Sequence, residues 1–340
     1  MSLAGLDLEN FRSVTDLKLN LKTKSVIIGK NGTGKSSVIE AIRILSVGKS
    51  FRTSKLDELI NFEANFFRIS AKLDDAKLEL FYGQNLEKTN QKQLSLNGKK
   101  TALLDAIGVM PTVLFIPDDV EVVLGMPMLR RKFLDGVLWQ VSREFRLQYL
   151  DFHKVLKERS RLLFLIKVGN AKLGDLMPWN ELLEKTTNYI RTSRLELIEF
   201  INEQLTQKSW RVSEQLAINV VYEQSNIDIE DGIQDEIKLS QNLFGAHRDD
   251  LIININERSA RKFASRGQAR TIIMLLKIIE LKYLKQSLQN EPILLLDDIF
   301  SELDEVNREI LLSHINKEDQ IISTQIEGDK LIENWEHIQL

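Results

Sequence analysis

No cysteine occurs in the 340 residues, so disulfide and thiolate–zinc readings are excluded and a reducing compartment suits the chain. No apolar run approaches the roughly 18–20 residues that a membrane span requires, and no basic-then-apolar leader opens the sequence. A cytoplasmic protein without a membrane role is therefore expected. Net charge is nearly absent at −3, which leaves any nucleic-acid binding to a local patch. Internal repeats and low-complexity tracts are missing. So is any Ser/His/Asp or metal-ligand constellation of the kind a stand-alone enzyme acting on a small substrate would carry. What remains is an ordinary globular composition, 43% hydrophobic and 28% charged, long enough for one large or two modest domains.

One stretch carries recognisable chemistry. Gly29-Lys30-Asn31-Gly32-Thr33-Gly34-Lys35-Ser36-Ser37 follows the apolar run Val26-Ile27-Ile28 and leads into Val38-Ile39-Glu40-Ala41-Ile42. Strand, glycine loop and helix in that order are the context of a Walker A phosphate loop. Its glycines let backbone N–H groups curl around a phosphate, and the helix N-terminus adds unpaired donors and a positive dipole end. Lys35 is expected at the β- and γ-phosphates, with Ser36 Oγ on Mg²⁺. The competing reading is a chance glycine-rich turn, and the flanking strand and helix argue against it. ATP with Mg²⁺ is the expected ligand pair.

Around this loop the patterning alternates between sheet and helix. Residues 3–21 predict a two-stranded hairpin with Asn10-Phe11-Arg12 at its turn, where Arg12 either reaches a nucleotide phosphate or is a solvated turn residue. Residues 66–82 and 92–97 predict an antiparallel sheet, with Asn97-Gly98 as a hairpin turn. Apolar spacing of three and four from Leu134 to Leu163 and again from Leu183 to Leu205 predicts two long antiparallel helices, a short arm. A helix of about 30 residues spans only roughly 45 Å. Between Met128 and Lys172 there are 11 Lys/Arg against 4 Asp/Glu, whereas Glu223 to Glu236 carries six acids and no base. The basic stretch, including Arg130, Arg131 and Arg143, reads equally as a DNA-contacting face or as solvated helix surface.

Pro292-Ile293-Leu294-Leu295-Leu296-Asp297-Asp298 is an aliphatic strand ending in two carboxylates, as a Walker B motif requires. Asp297 fits the Mg²⁺ ligand, acting through water, and Asp298 the group that orients or deprotonates an attacking water. The alternative is that the two acids merely cap a strand. Ser265-Arg266-Gly267-Gln268 precedes a strongly apolar helix and taken alone reads as an ordinary helix cap. In this order, followed by Ser301-Glu302-Leu303-Asp304, it resembles the signature loop and D-loop of ABC-type ATPases. Within that superfamily the chain is similar to the bacterial RecF family over nearly its whole length. Glu9-Asn10-Phe11-Arg12, Gly48-Lys49-Ser50-Phe51-Arg52-Thr53, Arg130 to Asp135 and Gly245-Ala246-His247-Arg248-Asp249-Asp250-Leu251 carry the likeness beside the ATPase loops.

The resemblance implies an α/β fold, an ABC-type P-loop ATPase head of a mixed sheet plus an antiparallel β subdomain. The head would be discontinuous, 1–118 and 240–340, with a short coiled-coil-like helical arm inserted at 119–239. It implies an ATP-dependent homodimer in which Ser265, Gly267 and Gln268 of one copy meet the ATP held by the other. It further implies binding of duplex DNA and single-strand/duplex junctions, slow ATP hydrolysis as a release switch, and a role in recombinational repair with RecR and RecO in loading RecA. SMC-like chromosome-maintenance ATPases share the loops but not the short arm or the His-Arg-Asp-Asp turn. A transporter ATP-binding subunit would have a second glycine after the serine–glycine pair, where Gln268 stands. Three positions depart from related ATPases. Ala246 replaces the family's usual proline, Asp298 stands where many ABC ATPases have glutamate, and Ser323-Thr324-Gln325 occupies the place of a switch histidine. No glutamine lies near Pro117-Asp118-Asp119 to act as a metal-sensing Q-loop residue.

Overall fold

Alternating apolar residues at Leu3, Leu6, Leu8 and Phe11 bury one face of the first strand and begin an antiparallel sheet. The computed structural model describes residues 2–84, 90–207, 217–327 and 334–340. These divide into two units, Met1–Asp119 with Met274–Leu340, and Val120–Ile273.

In the first unit, β1 (Leu3–Phe11), β2 (Val14–Asn20), β4 (Phe66–Leu73), β5 (Lys77–Gln84), β6 (Asn90–Leu96) and β7 (Lys99–Lys100) form a six-stranded sheet in the order β2-β1-β4-β5-β6-β7. The turn between β6 and β7 is Asn97-Gly98, both at positive φ, as a tight two-residue hairpin demands. The second sheet is parallel, in the order β14-β3-β13-β12-β8, from β3 (Lys24–Gly29), β8 (Thr112–Phe115), β12 (Ile293–Leu296), β13 (Ile321–Ile326) and β14 (Glu336–Gln339). Every residue of β12 is buried, which is why it reads as an unbroken aliphatic run rather than an alternating one. Helix α1 (Lys35–Val47) buries eleven of its thirteen residues, so it belongs inside the unit rather than on its surface. Its Ile39 and Ile42 share a core with Leu6 and Phe67 of the antiparallel sheet and Ile27, Leu295 and Ile322 of the parallel one. Each such side chain contributes about 1.5–3 kcal/mol on burial. A short α2 (Leu103–Ala106) precedes β8.

The inserted unit opens with α3 (Glu121–Leu124) and α4 (Pro127–Val141), continues through α5 (Arg143–Lys167) and α6 (Met177–Thr206), and adds β9 (Ile218–Glu223) and α7 (Ile233–Leu239). Then come β10 (Asp250–Ile255), β11 (Arg258–Ser259), α8 (Ala260–Phe263) and the first turns of α9 (Arg266–Ser287), and the chain ends through α10 (Ile299–Glu302) and α11 (Glu305–Ser313). The single helix expected from Leu134 to Leu163 is two. Ser142 adopts an extended backbone, and its Oγ accepts the Phe145 N–H at 3.0 Å, ending one helix and capping the next. Apolar spacing runs through this break because both helices bury a face in the same unit.

The division also differs from the one expected at residue 240, since β10 pairs antiparallel with β9 and packs on α4. The second boundary therefore falls at 273/274, within α9.

Charge pairing holds this unit together. Arg194 forks onto Asp135 at 2.8 and 2.9 Å, Arg130 onto Asp250 at 2.8 Å twice, and Arg191 onto Asp249 at 2.9 and 2.8 Å. Fully buried Arg159 donates to Glu236, Asn180 and Asn242. Arg159 and Glu236 thus join the basic first half of the arm to the acidic 223–236 stretch inside the unit. Removing one member of a buried pair strands the other charge, at a cost of about 3–5 kcal/mol.

Candidate nucleotide site

The phosphate loop begins where β3 ends at Gly29 and finishes at Gly34, the N-cap of α1, whose φ of +100° is open to glycine but strained for other residues. Lys30, Asn31, Gly32 and Thr33 are exposed, and Thr33 Oγ1 donates to the Lys30 carbonyl at 3.0 Å. Lys35 is only 5% exposed, and its ammonium donates to the carbonyls of Gly29 (2.8 Å) and Lys30 (3.0 Å). The lysine therefore braces the loop from inside. Ser37, next on the helix, is buried.

Helix α1 and strands β12 and β13 bring the remaining groups together. Ser36 Oγ donates to Asp297 Oδ1 at 3.0 Å, and Thr324 Oγ1 on β13 donates to the same oxygen at 2.7 Å. The Asp298 N–H in turn donates to Thr324 Oγ1 at 2.9 Å. Asp298 sits at φ +53°, a left-handed backbone that aspartate tolerates better than most residues, with its Oδ1 3.5 Å from Thr324 Oγ1. Ser301 Oγ donates to the Asp298 carbonyl, and Asp304 caps α11 through the Asn307 N–H. In the sequence Thr324 carries no signal beyond standing in the place of a switch histidine. Its hydroxyl is the hinge between the two acids, and only the parallel pairing of β13 with β12 puts it there.

Do these residues suit Mg²⁺? Ser36 Oγ and Asp297 Oδ1 are hard oxygen donors that converge at 3.0 Å, so Ser36 would ligate the ion and Asp297 would hold it through a water. They fit.

Arg12 is held otherwise than a phosphate ligand. Its guanidinium forks onto the buried Glu40 of α1 at 3.0 and 2.7 Å and donates to the Glu58 carbonyl. Ser50 and Arg52 approach the same carboxylate, so Glu40 gathers the Arg12 turn and the 48–53 loop onto α1.

Ser265, Gly267 and Gln268 belong to the other unit. Ser265 Oγ accepts the Gln268 N–H at 3.1 Å while Gln268 Oε1 accepts the Ser265 N–H at 2.9 Å, a reciprocal capping box at the start of α9. Ser265 and Gly267 are exposed.

The proposed basic face loses two members. Arg130 is 3% exposed and committed to Asp250, and Arg131 donates to the Asp249 carbonyl at 2.7 Å. Both bind the Asp249-Asp250 turn because the α4 side chains reach the start of β10. Of the three arginines singled out, Arg143 is exposed.

The same turn supplies a titration. Burial, ahead of the nearby arginines, holds the His247 imidazole down at about 4. Its Nε2–H donates to the Asn242 carbonyl, which fixes the tautomer and leaves Nδ1 bare. Neutral His247 is thus the folded form, whereas the unfolded chain takes up a proton below about pH 6.5. Its stability contribution is complete above pH 6.5 and is lost as pH falls toward 4, with a slope of at most about 1.4 kcal/mol per pH unit. Urea unfolding between pH 7.5 and 4.5 is expected to show a flatter decline for His247→Asn than for the parent. Parallel curves would refute the assignment.

A strand–loop–helix phosphate loop with a serine–aspartate pair at the carboxyl edge of a parallel sheet defines a P-loop nucleotide-binding head. The family model described as RecF/RecN/SMC N terminal domain matches residues 2–338, and the chain belongs to that family. It is 33% identical over 339 residues to the DNA replication and repair protein RecF of Moorella thermoacetica, covering 96% of this chain and 90% of that one. The protein of the same description from Bacillus cereus strain AH820 is 32% identical over 352 residues, covering 96% and 93%. The solved structure of the recombination mediator protein RecF-ATP in the RecFOR pathway superposes with a TM-score of 0.85 at 28% identity, covering 97% and 94%. The fold is that of an ABC-type ATPase head. An Smc head bound to the C-winged helix domain of ScpA matches at a TM-score of 0.54 and 14% identity, a likeness of fold alone.

Proposed function

We propose that this chain is an ATP-switched, DNA-binding ATPase of recombinational repair and replication. ATP is held by Gly29–Ser37, with Mg²⁺ on Ser36 and Asp297, and the ion supplies charge neutralisation between the phosphates. The observation that carries the reading is the Ser36–Asp297–Thr324–Asp298 chain of hydrogen bonds, read beside the likeness to a RecF-ATP structure. Lys35 leaves its two carbonyls to neutralise phosphate charge. Asp298, its backbone fixed by Thr324, takes the proton of the attacking water. Its side chain is one methylene shorter than glutamate, so turnover is slow.

Two copies close head to head, each donating Ser265, Gly267 and Gln268 to the other's nucleotide. The closed dimer clamps duplex DNA near single-strand gaps and junctions, and hydrolysis releases it. RecR and RecO are the partners, RecA loading the outcome, and the cytoplasm the setting. Among the described residues, no helix is long and apolar enough to cross a membrane. Filter binding and light scattering with and without ATP test this. ATP is expected to double the scattering mass and retain DNA, while Ser265→Arg protein binds ATP but stays monomeric. DNA retention indifferent to ATP, or no change in mass, would overturn it.

A further inference from the structure

The arm carries two surface runs of opposite sign. Lys154, Lys157 and Arg161 are exposed on α5, and Glu196, Glu199 and Glu203 are exposed on α6. Both runs step by three and then four residues, so each draws a straight line of about 10 Å along its helix. None of the six charged groups has a hydrogen-bond or ion-pair partner among the described residues. Helices α5 and α6 pack on each other and bury Phe152, Val155 and Leu163 of one and Ile190, Leu197 and Ile201 of the other on their opposite sides. The two runs of one arm therefore point apart. Their signs are also unmixed. Glu158, the one acid between Phe152 and Val168, is half-buried and lies about 100° round the helix from Lys157. Arg191 and Arg194, the only bases between Thr186 and Glu203, are committed to Asp249 and Asp135. Exposed apolar side chains continue both lines: Leu150 stands four residues before Lys154, Phe164 three after Arg161, and Leu195 four before Glu199.

We infer that these faces are an interface between copies of the chain, α5 of one molecule lying along α6 of the next. The shared three–four spacing puts Lys154 opposite Glu196, Lys157 opposite Glu199 and Arg161 opposite Glu203 in a single register when the two helices run parallel. Leu150 and Phe164 bracket the cations with apolar surface that a second helix covers and a phosphate backbone does not. Exposed ion pairs contribute little singly, so the contact is weak and salt-sensitive. Each copy uses a different face toward each neighbour, so the contact does not close and molecules add in a row. It needs no nucleotide and is separate from the head-to-head closure proposed above.

Sedimentation of the full chain without nucleotide, over a range of protein concentrations, is the test. In about 0.1 M salt, where charges are felt over about 10 Å, the average mass is expected to rise with concentration; in about 1 M salt it is expected to stay at the monomer. Two triple variants reverse one run each: Lys154→Glu, Lys157→Glu, Arg161→Glu on α5, and Glu196→Lys, Glu199→Lys, Glu203→Lys on α6. Each alone is expected to weaken association on the order of tenfold or more. Mixed together, the two variants offer each other the swapped charges and are expected to recover the parent's rise in mass within a few-fold. That recovery also shows that both variants are folded. A parent that stays monomeric at every concentration in low salt overturns the interface. So does association that survives either reversal, or a mixture that associates no better than its components. A DNA salt slope that falls by about 0.9 for each reversed cation, with the mass unchanged, would assign the α5 run to phosphate and likewise overturn it.

Discussion

Lys35→Ala protein is expected to lose ATP affinity by about 100-fold or more and, with it, every ATP-dependent change in mass and DNA retention. The ammonium is 5% exposed and bonded to two loop carbonyls, so it is already desolvated and held at the loop. Exchanging those carbonyls for phosphate oxygens replaces neutral acceptors by charged ones, and hydrogen bonds between ions are worth about 1.5–3 kcal/mol each. Two of them account for the loss. Alanine also removes the brace across Gly29 and Lys30, so the empty loop should relax; Lys35→Met, which keeps much of the stem, separates lost charge from lost packing. Titration calorimetry reads the affinity directly. Wild-type affinity in both variants would remove the phosphate-loop assignment.

A second large effect is expected at Asp298. Asp298→Asn should bind ATP within a few-fold of the parent while hydrolysis falls by on the order of 10²–10⁴, the usual share of a general base. The substitution is unusually clean here. Asparagine accepts the left-handed backbone at φ +53° as readily as aspartate does, and the bond from the backbone N–H to Thr324 Oγ1 does not involve the side chain. The side-chain contact at risk is the long one from Thr324 Oγ1 to Asp298 Oδ1 at 3.5 Å, which the asparagine amide oxygen also accepts. Single-turnover hydrolysis followed beside light scattering should show a closed dimer that persists. Turnover at the parent rate would pass the role of base to another group.

Much of the first unit was legible because its chemistry is local. The phosphate loop needs its glycines, lysine and serine within nine consecutive residues, and Walker B is four buried aliphatics followed by acid. Periodicity also sufficed for the β1–β2 hairpin, the Asn97-Gly98 turn and the long α6, since their side chains report burial along a single element. It could not show the break at Ser142, because helices on either side of a cap bury faces in one core and keep the apolar spacing nearly in phase.

The basic arm shows the other limit. A count of charges cannot tell an arginine aimed at solvent from one forked onto Asp250 or Asp135, because the carboxylates lie some 60 to 120 residues away in sequence. The Arg12–Glu40 fork was illegible for the same reason: the two residues lie on opposite sides of the phosphate loop in sequence.

What the sequence determined by itself is the class of chemistry and the units that carry it, since loop geometry and strand burial depend on neighbours a few residues apart. The tertiary structure alone decided which charges are free and which are spent. It brought Thr324 between Asp297 and Asp298 through strand pairing, and it forked Arg12 onto Glu40 across the phosphate loop. Those outcomes depend on contacts between segments that only folding brings within hydrogen-bond reach.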